Sequence, residues 1–485
     1  MKVPPARLLI AVSLVIGSLN AAAVRGDPAD LPGANHAGGN SGDGIRCSSG
    51  KPDVAIVACG HIIDDRREDE DNRATALRNR AFSYQQRGDF DLAIADYTTV
   101  LKRTGLRSIQ AKTYLNRGTV YFQKGDDAAA LADYGEAIAL DPKLTSAYIN
   151  RASLYIRRDE ADHAISDLDE ATRLDPRAAA VFVSRASVYA HRGDHDRAIA
   201  DYSRAIELEP GNAVAWRGRG LSYRSKGDNV RAQADSAEAI RLSPNLGTAH
   251  LDLGLSLQAA GDLPGAIAEF DEAVRLDAGD ARALKARGDC FLAKGERERA
   301  IEDFGRAINL DPHMTSAFVN RGVAYLDRSQ WNAAIGDFST AIALDANQYA
   351  AYLNRGQALR ANGERERAIA DFTRAIELKP GAGDAYRQRA FVRQETGDSP
   401  GAIADYTRAI EANHADAEAL RGRGFVHMKR REPDAAIVDL TAAIALNPND
   451  ALAYRFRGSA YAARNEIKRA NADDAAALRL SQPVR

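Results

Sequence analysis

The feature that most constrains this chain is a repeat of fixed length. Residues 111–144, AKTYLNRGTVYFQKGDDAAALADYGEAIALDPKL, are restated from Thr145 onward, and further copies begin every 34 residues up to Ala451 without a slip. An earlier copy begins at Ala74, with a three-residue insertion around Gly105. That makes twelve copies, starting at 74, 111, 145, 179, 213, 247, 281, 315, 349, 383, 417 and 451. Each copy reads as two short amphipathic helices, here called A and B, joined at Gly125-Asp126 and its equivalents. The B helix stops at Asp141-Pro142, since proline has no amide proton to donate and its ring clashes with the turn before it. So strict a repeat overrides the several-domain expectation that 485 residues would otherwise raise.

Within the 34 positions, the small residues are fixed. Position 8 is Gly or Ala in every copy, position 20 is Ala from Ala93 to Ala470, and position 27 is Ala except at Val100. Such residues let helix backbones approach closely, so that neighbouring copies bury one continuous core. Period and pattern together resemble the tetratricopeptide repeat family over residues 74–485. The resemblance implies an all-α, right-handed superhelical solenoid of twelve helix–turn–helix repeats. It also implies a concave groove lined by A-helix positions 2, 5, 6, 9, 12 and 13, which takes an extended peptide or a segment of a partner protein.

Position 7 departs from the family, whose usual residue there is Leu. It is arginine in eleven copies, and position 23 is aspartate in eleven; repeat six alone carries Leu253 at the first and Glu269 at the second. Coincident exceptions imply that each arginine meets the aspartate of its own repeat in a partly buried, charge-assisted bond. The competing reading is a ladder of charged ligand sites. Position 7 faces the helix pair rather than the groove, which favours the structural reading.

The groove positions divide the repeats into two kinds. One kind carries asparagine at position 6: Asn79, Asn116, Asn150, Asn320 and Asn354. A row of amides, each both donor and acceptor, suits the backbone of an extended peptide, although Ser184, Gly218, Asp252 and Ala286 interrupt the row. The other kind carries a cation at position 5: Arg217, Lys285, Arg387, Arg421 and Arg455. The last three fall in consecutive repeats and suit a carboxylate or phosphate, with Asp384 and Glu418 nearby to neutralise them. Helix-surface amides and solvated arginines are the plainer alternatives. Three departures mark expected weak points: Gln233 with Ser236, Arg393 with His427, and Asn471 with Asp474 in the final B helix.

Ahead of the array, Lys2 and Arg7, the apolar run 8–19 and the Ala21–Ala23 site read as a secretory signal cut after Ala23. The run is short for a membrane anchor, which is the competing reading. Export, most simply to a periplasm, makes Cys47 and Cys59 a disulfide and leaves Cys290 a buried, inert thiol. Residues 24–50 read as a flexible linker, and 51–73 as a capping half-repeat tied down by that disulfide. A cysteine pair ahead of the repeats resembles a group of exported bacterial repeat proteins. Lys+Arg 65 against Asp+Glu 67 argues against nucleic acid or a membrane surface as partner. No His-Glu-x-x-His, Cys-x-x-Cys, phosphate-cradling glycine loop or Gly-x-Ser-x-Gly elbow occurs. The expectation is therefore a scaffold with no cofactor, metal or catalytic residues. Its rivals are an architectural envelope component bound through the convex face, and an accessory subunit that presents an acidic ligand to an enzyme.

Overall fold

The computed structural model describes residues 41–103, 105 and 107–481. The expected signal (1–23) and most of the expected linker lie outside them, as do two of the three residues around the Gly105 insertion. The described residues form only helices, 26 of them, in two compact bodies that meet in sequence at Gly261 and Asp262.

The N-terminal body opens with α1 (Ser41–Cys47), α2 (Pro52–Asp64) and α3 (Glu70–Arg87). Residues 41–47 are thus a helix where composition suggested linker. Helix α3 also begins a turn before Ala74 and takes in part of the charge run at 64–72. Asp69 makes this possible: its carboxylate accepts the Asn72 amide at 2.7 Å and caps the helix. The Cys47 and Cys59 sulfurs are bonded, with their Cα atoms 4.8 Å apart, and pack with Ala58 and Ala76. From there A and B helices alternate to Gly247–Ala259. The C-terminal body continues the alternation from Leu263–Leu276 to Ile467–Ser481.

Each hairpin has the same local chemistry. The residue at position 15 sits in the left-handed region, as Gly125 does at φ 88°, because the chain must reverse between helices. Asp159, Ser329, Arg431 and Asn465 adopt this conformation without being glycine. Where the following residue is aspartate it caps helix B: Asp126 accepts the Ala129 amide at 3.1 Å, and Asp262 the Gly265 amide at 3.0 Å, whereas Glu160, Glu296, Gln330, Glu364 and Glu432 make no such bond. At the core of each hairpin, the position-20 alanines are buried from Ala93 to Ala470. In repeats two, seven, eight and nine a position-24 ring lies over the position-8 glycine. A methyl group on Gly322 would stand 2.7 Å from Phe338 Cε1, and one on Gly118 2.9 Å from Tyr134 Cε1. Close approach, not flexibility, selects glycine there.

The arginine–aspartate pairing is present in all eleven repeats that carry it. Arg117 donates Nε to Asp133 Oδ2 at 2.7 Å and Nη2 to Asp133 Oδ1 at 2.8 Å, and the same fork recurs from Arg80–Asp96 to Arg457–Asp473. Many of these guanidiniums also lie between two rings of their own helix, as Arg117 does between Tyr114 and Tyr121 at 5.4 and 5.8 Å. The aspartate hydrogen bond raises the arginine pKa, so these arginines stay charged. A contact that the sequence reading missed runs between repeats. Nη1 reaches position 25 of the preceding B helix: Thr98 from Arg117, Ser203 from Arg219, Asp271 from Arg287 and Thr407 from Arg423. Where position 25 is glycine, Gly135 or Gly305, the bond is missing from Arg151 and Arg321. One residue thus ties its own hairpin together and staples it to its neighbour.

Two of the three expected weak points are occupied positions. Arg393 gives Asp405 a second cation, with Nη1 2.9 Å from Oδ2, and His427 Nδ1 lies 2.6 Å from Glu432 Oε2. Gln233 donates to the Ser256 carbonyl at 3.2 Å while Ser236 is buried. Asn471 and Asp474 are exposed on the last helix. Burial pushes the Cys290 thiol up to about 11, which keeps it protonated and unreactive.

Candidate functional site

The groove positions of the A helices are where the sequence placed binding, and most of the groups named there are already engaged. Asn150 is buried and donates Nδ2 to Thr119 Oγ1 of the preceding repeat at 3.1 Å. Asn320 does the same to Asp289 Oδ1 at 2.7 Å, and Asn79 turns to Cys47 Sγ at 3.8 Å. Asn116 sits beside the buried Tyr97 hydroxyl without reaching hydrogen-bond geometry. Asn354 is half-buried on its helix. Asn150 and Asn320 therefore spend donors on the joints between repeats, and their Oδ1 acceptors remain.

The cations behave alike. Arg217 Nε donates to Asp252 Oδ2 at 2.7 Å, and Lys285 Nζ lies 2.6 Å from Asp289 Oδ2 on its own helix. Arg387 Nε is 3.2 Å from Asp416 Oδ2, with its Nη1 against Glu418, and Arg421 Nη1 donates to Asp450 Oδ2 at 2.7 Å. Only Arg455 is exposed. The expected line of open charge at Arg387, Arg421 and Arg455 is thus largely neutralised by carboxylates at the start of the next A helix. Asp384 is directed elsewhere, accepting from the Tyr349 hydroxyl at 2.5 Å.

What the geometry does gather is a cavity of 410 Å³ in the C-terminal body. Its lining includes position 5 (Arg387, Arg421), position 6 (Gln388, Gly422, Phe456), position 9 (Phe391, Phe425) and position 12 (Arg360, Gln394) of repeats nine to twelve. Phe425 and Phe456 pack as a tilted pair, with centroids 4.7 Å apart and ring planes at 47°, and Arg360 lies over Phe391 at 4.6 Å. Tyr406 enters from a B helix. Its own repeat has Ala390 at position 8, so its ring leans across the next repeat, where a methyl on Gly422 would stand 2.4 Å from Cζ. Its hydroxyl donates to Gln394 Oε1 at 3.0 Å. Burial raises the Tyr406 pKa, opposed by the charges of Arg421, Arg387 and Arg360. Sequence reasoning had the Arg387 and Arg421 positions but not Arg360 or the rings. The signal was there: aromatic residues occupy position 9 in two successive repeats, where repeats two to nine have Thr, Ser, Ser, Leu, Leu, Asp, Val and Gln.

Sequence profiles of the tetratricopeptide repeat match residues 72–143, and also 149–213, 192–246, 251–314, 319–383 and 389–440, more than half of the chain. The chain belongs to the tetratricopeptide repeat family. No curated protein matches it. Among solved structures, a chain of the APC/C hetero-tetramer Cut9-Hcn1 is similar at 17% identity, over 95% of this chain and 96% of that one, with a TM-score of 0.43. A tetratricopeptide repeat protein from Parabacteroides merdae is similar at 20% identity, over 51% of this chain and 98% of that one, with a TM-score of 0.40. YrrB, described as a TPR protein with an unusual peptide-binding site, is similar at 25% identity, over 38% of this chain and 95% of that one, with a TM-score of 0.33. Among the described residues no helix is long and apolar enough to cross a membrane.

Proposed function

We propose that the chain is an exported, non-catalytic scaffold that binds an extended segment of a partner protein along its A-helix faces. The observation that supports this most directly is the cavity in the C-terminal body. Four consecutive repeats contribute positions 5, 6, 9 and 12 to it. The remaining acceptors of Asn116, Asn320 and Asn354 would hold the partner's backbone. The basic and apolar start of the chain and the cysteine pair support export, because a disulfide persists in an oxidising compartment.

The test is recovery of a partner from envelope extract by the full chain and by a variant with Asn116→Ala and Asn354→Ala. Asn150 and Asn320 are left in place because their loss would strip a bonded partner from Thr119 and Asp289 of the preceding repeats. The variant should keep its thermal midpoint and lose about tenfold in recovery. Equal recovery by both would move binding to the B-helix faces, where Val230 and Val438 are exposed, and would sink the groove reading.

A further inference from the structure

The cavity of repeats nine to twelve has a composition that specifies more than backbone binding. It offers apolar surface: Phe391 and Leu452 are among the exposed large hydrophobic side chains, and Phe425 and Phe456 pack as a tilted pair. At 410 Å³ the space is large enough for an aromatic side chain together with part of the backbone that carries it. Its charges are unequal. Arg387 and Arg421 are held by Asp416, Glu418 and Asp450, whereas Arg360 has no carboxylate within reach among the described residues and rests on Phe391 instead. A guanidinium stacked on a ring keeps its edge donors free and presents them in a planar fork that matches a carboxylate.

We infer that this cavity takes an aromatic side chain of a partner peptide whose adjacent residue is acidic, with the ring among Phe391, Phe425 and Phe456 and the carboxylate on Arg360. The inference rests on the peptide-binding reading above and narrows it to one recognition element at one place. An aromatic anchor in a ring-lined recess is a usual source of affinity, and a single unpaired charge beside it adds discrimination. Gly422 gives Tyr406 its place in the cavity wall, as Gly218 gives Tyr202 its place outside the cavity. A glycine in a helix interior costs about 1 kcal/mol relative to alanine. Here a methyl would displace Tyr406 from the cavity wall.

The experiment uses the full chain and fluorescein-labelled Gly/Ser host peptides that differ only at their two central residues: Glu-Phe, Glu-Ala, Lys-Phe and Gly-Ser. Anisotropy titration should give tightest binding for Glu-Phe, with a loss of about tenfold for Glu-Ala and about tenfold for Lys-Phe. Arg360→Gln, on a half-buried side chain with no hydrogen bond to break, should abolish the Glu-Phe over Lys-Phe preference and keep the preference for Phe over Ala. Phe425→Leu, a smaller disturbance to folding than alanine, should reduce the preference for Phe. Equal affinity for all four peptides would overturn the inference while leaving sequence-independent peptide binding intact. A discrimination that Arg360→Gln leaves unchanged would overturn it too. No binding of any host peptide would overturn it and would count against the peptide-binding reading as well, which partner recovery with the asparagine variant tests separately.

Discussion

Removing Asp303 is the sharpest test of the arginine fork. Both its oxygens are committed to Arg287, at 2.7 Å each, and the residue is 3% exposed. Arg287 is itself mostly covered and stacks over Phe291 at 5.8 Å. Asp303→Ala leaves the guanidinium desolvated with its main counter-charge gone, which for a buried pair costs about 3–5 kcal/mol. The expectation lies at the low end, about 3 kcal/mol, because Nη1 keeps Asp271 at 2.7 Å and Asp271 is half exposed. Asp303→Asn keeps one carbonyl acceptor and should cost about half as much. The double variant Arg287→Leu/Asp303→Ala should recover much of the loss, since no charge is stranded; repeat six carries Leu253 at the equivalent position natively. Urea unfolding followed by circular dichroism gives the total change. Hydrogen exchange in the helix Arg297–Leu310 places it, because arrays of repeats do not unfold as one unit. An Asp303→Ala protein that unfolds at the parent's midpoint would refute the reasoning, as would a double variant no more stable than the single one.

Two glycines of repeat eight should respond in opposite directions. Gly322→Ala drives a methyl to 2.7 Å from Phe338 Cε1 and should cost about 1–3 kcal/mol, whereas Gly336→Ala meets nothing within 4 Å and should gain about 0.5–1 kcal/mol, both read from melting curves. Burial raises the pKa of Tyr97, Tyr134 and Tyr406 above the value of about 10 they have unfolded, so the folded chain holds protons that the unfolded chain releases. Stability from this source is complete below about pH 10 and declines as pH rises beyond it, and Tyr134→Phe should flatten the fall in melting temperature. If every tyrosine formed phenolate near its ordinary pKa with the helices intact, that account would be wrong. Reducing Cys47–Cys59, which are 12 residues apart, should remove about 3 kcal/mol from the N-terminal cap by the chain-entropy argument. Protection from exchange should fall in α1 and α2 and hold from repeat three onward.

The helices and their pairing were legible because the period carries them: an alanine at position 20 of every repeat has no reason other than close packing. The pairing of Arg287 with Asp303 was legible from a single exception, Leu253 with Glu269. The staple between repeats left the same kind of trace, unread, because Ala237 holds position 25 just ahead of the one repeat that lacks the arginine. Groove charge was harder, since its fate is set by the neighbour's helix start. Asp416 accepts the Ala419 amide at 2.9 Å and also faces Arg387. Asp450 accepts the Leu452 and Ala453 amides at 3.1 Å and also takes Arg421. An acid chosen to cap a helix therefore stands beside position 5 of the repeat before it. Where the cap is apolar, the cation has to find another acid. Arg217, followed by Leu246 at the cap, turns to Asp252, and Lys285, followed by Met314, turns to Asp289. At position 12 the outcome turns on position 6 of the next repeat: Arg224 has Asp252 there, 3.7 Å away, whereas the repeat after Arg360 carries the uncharged Gln388.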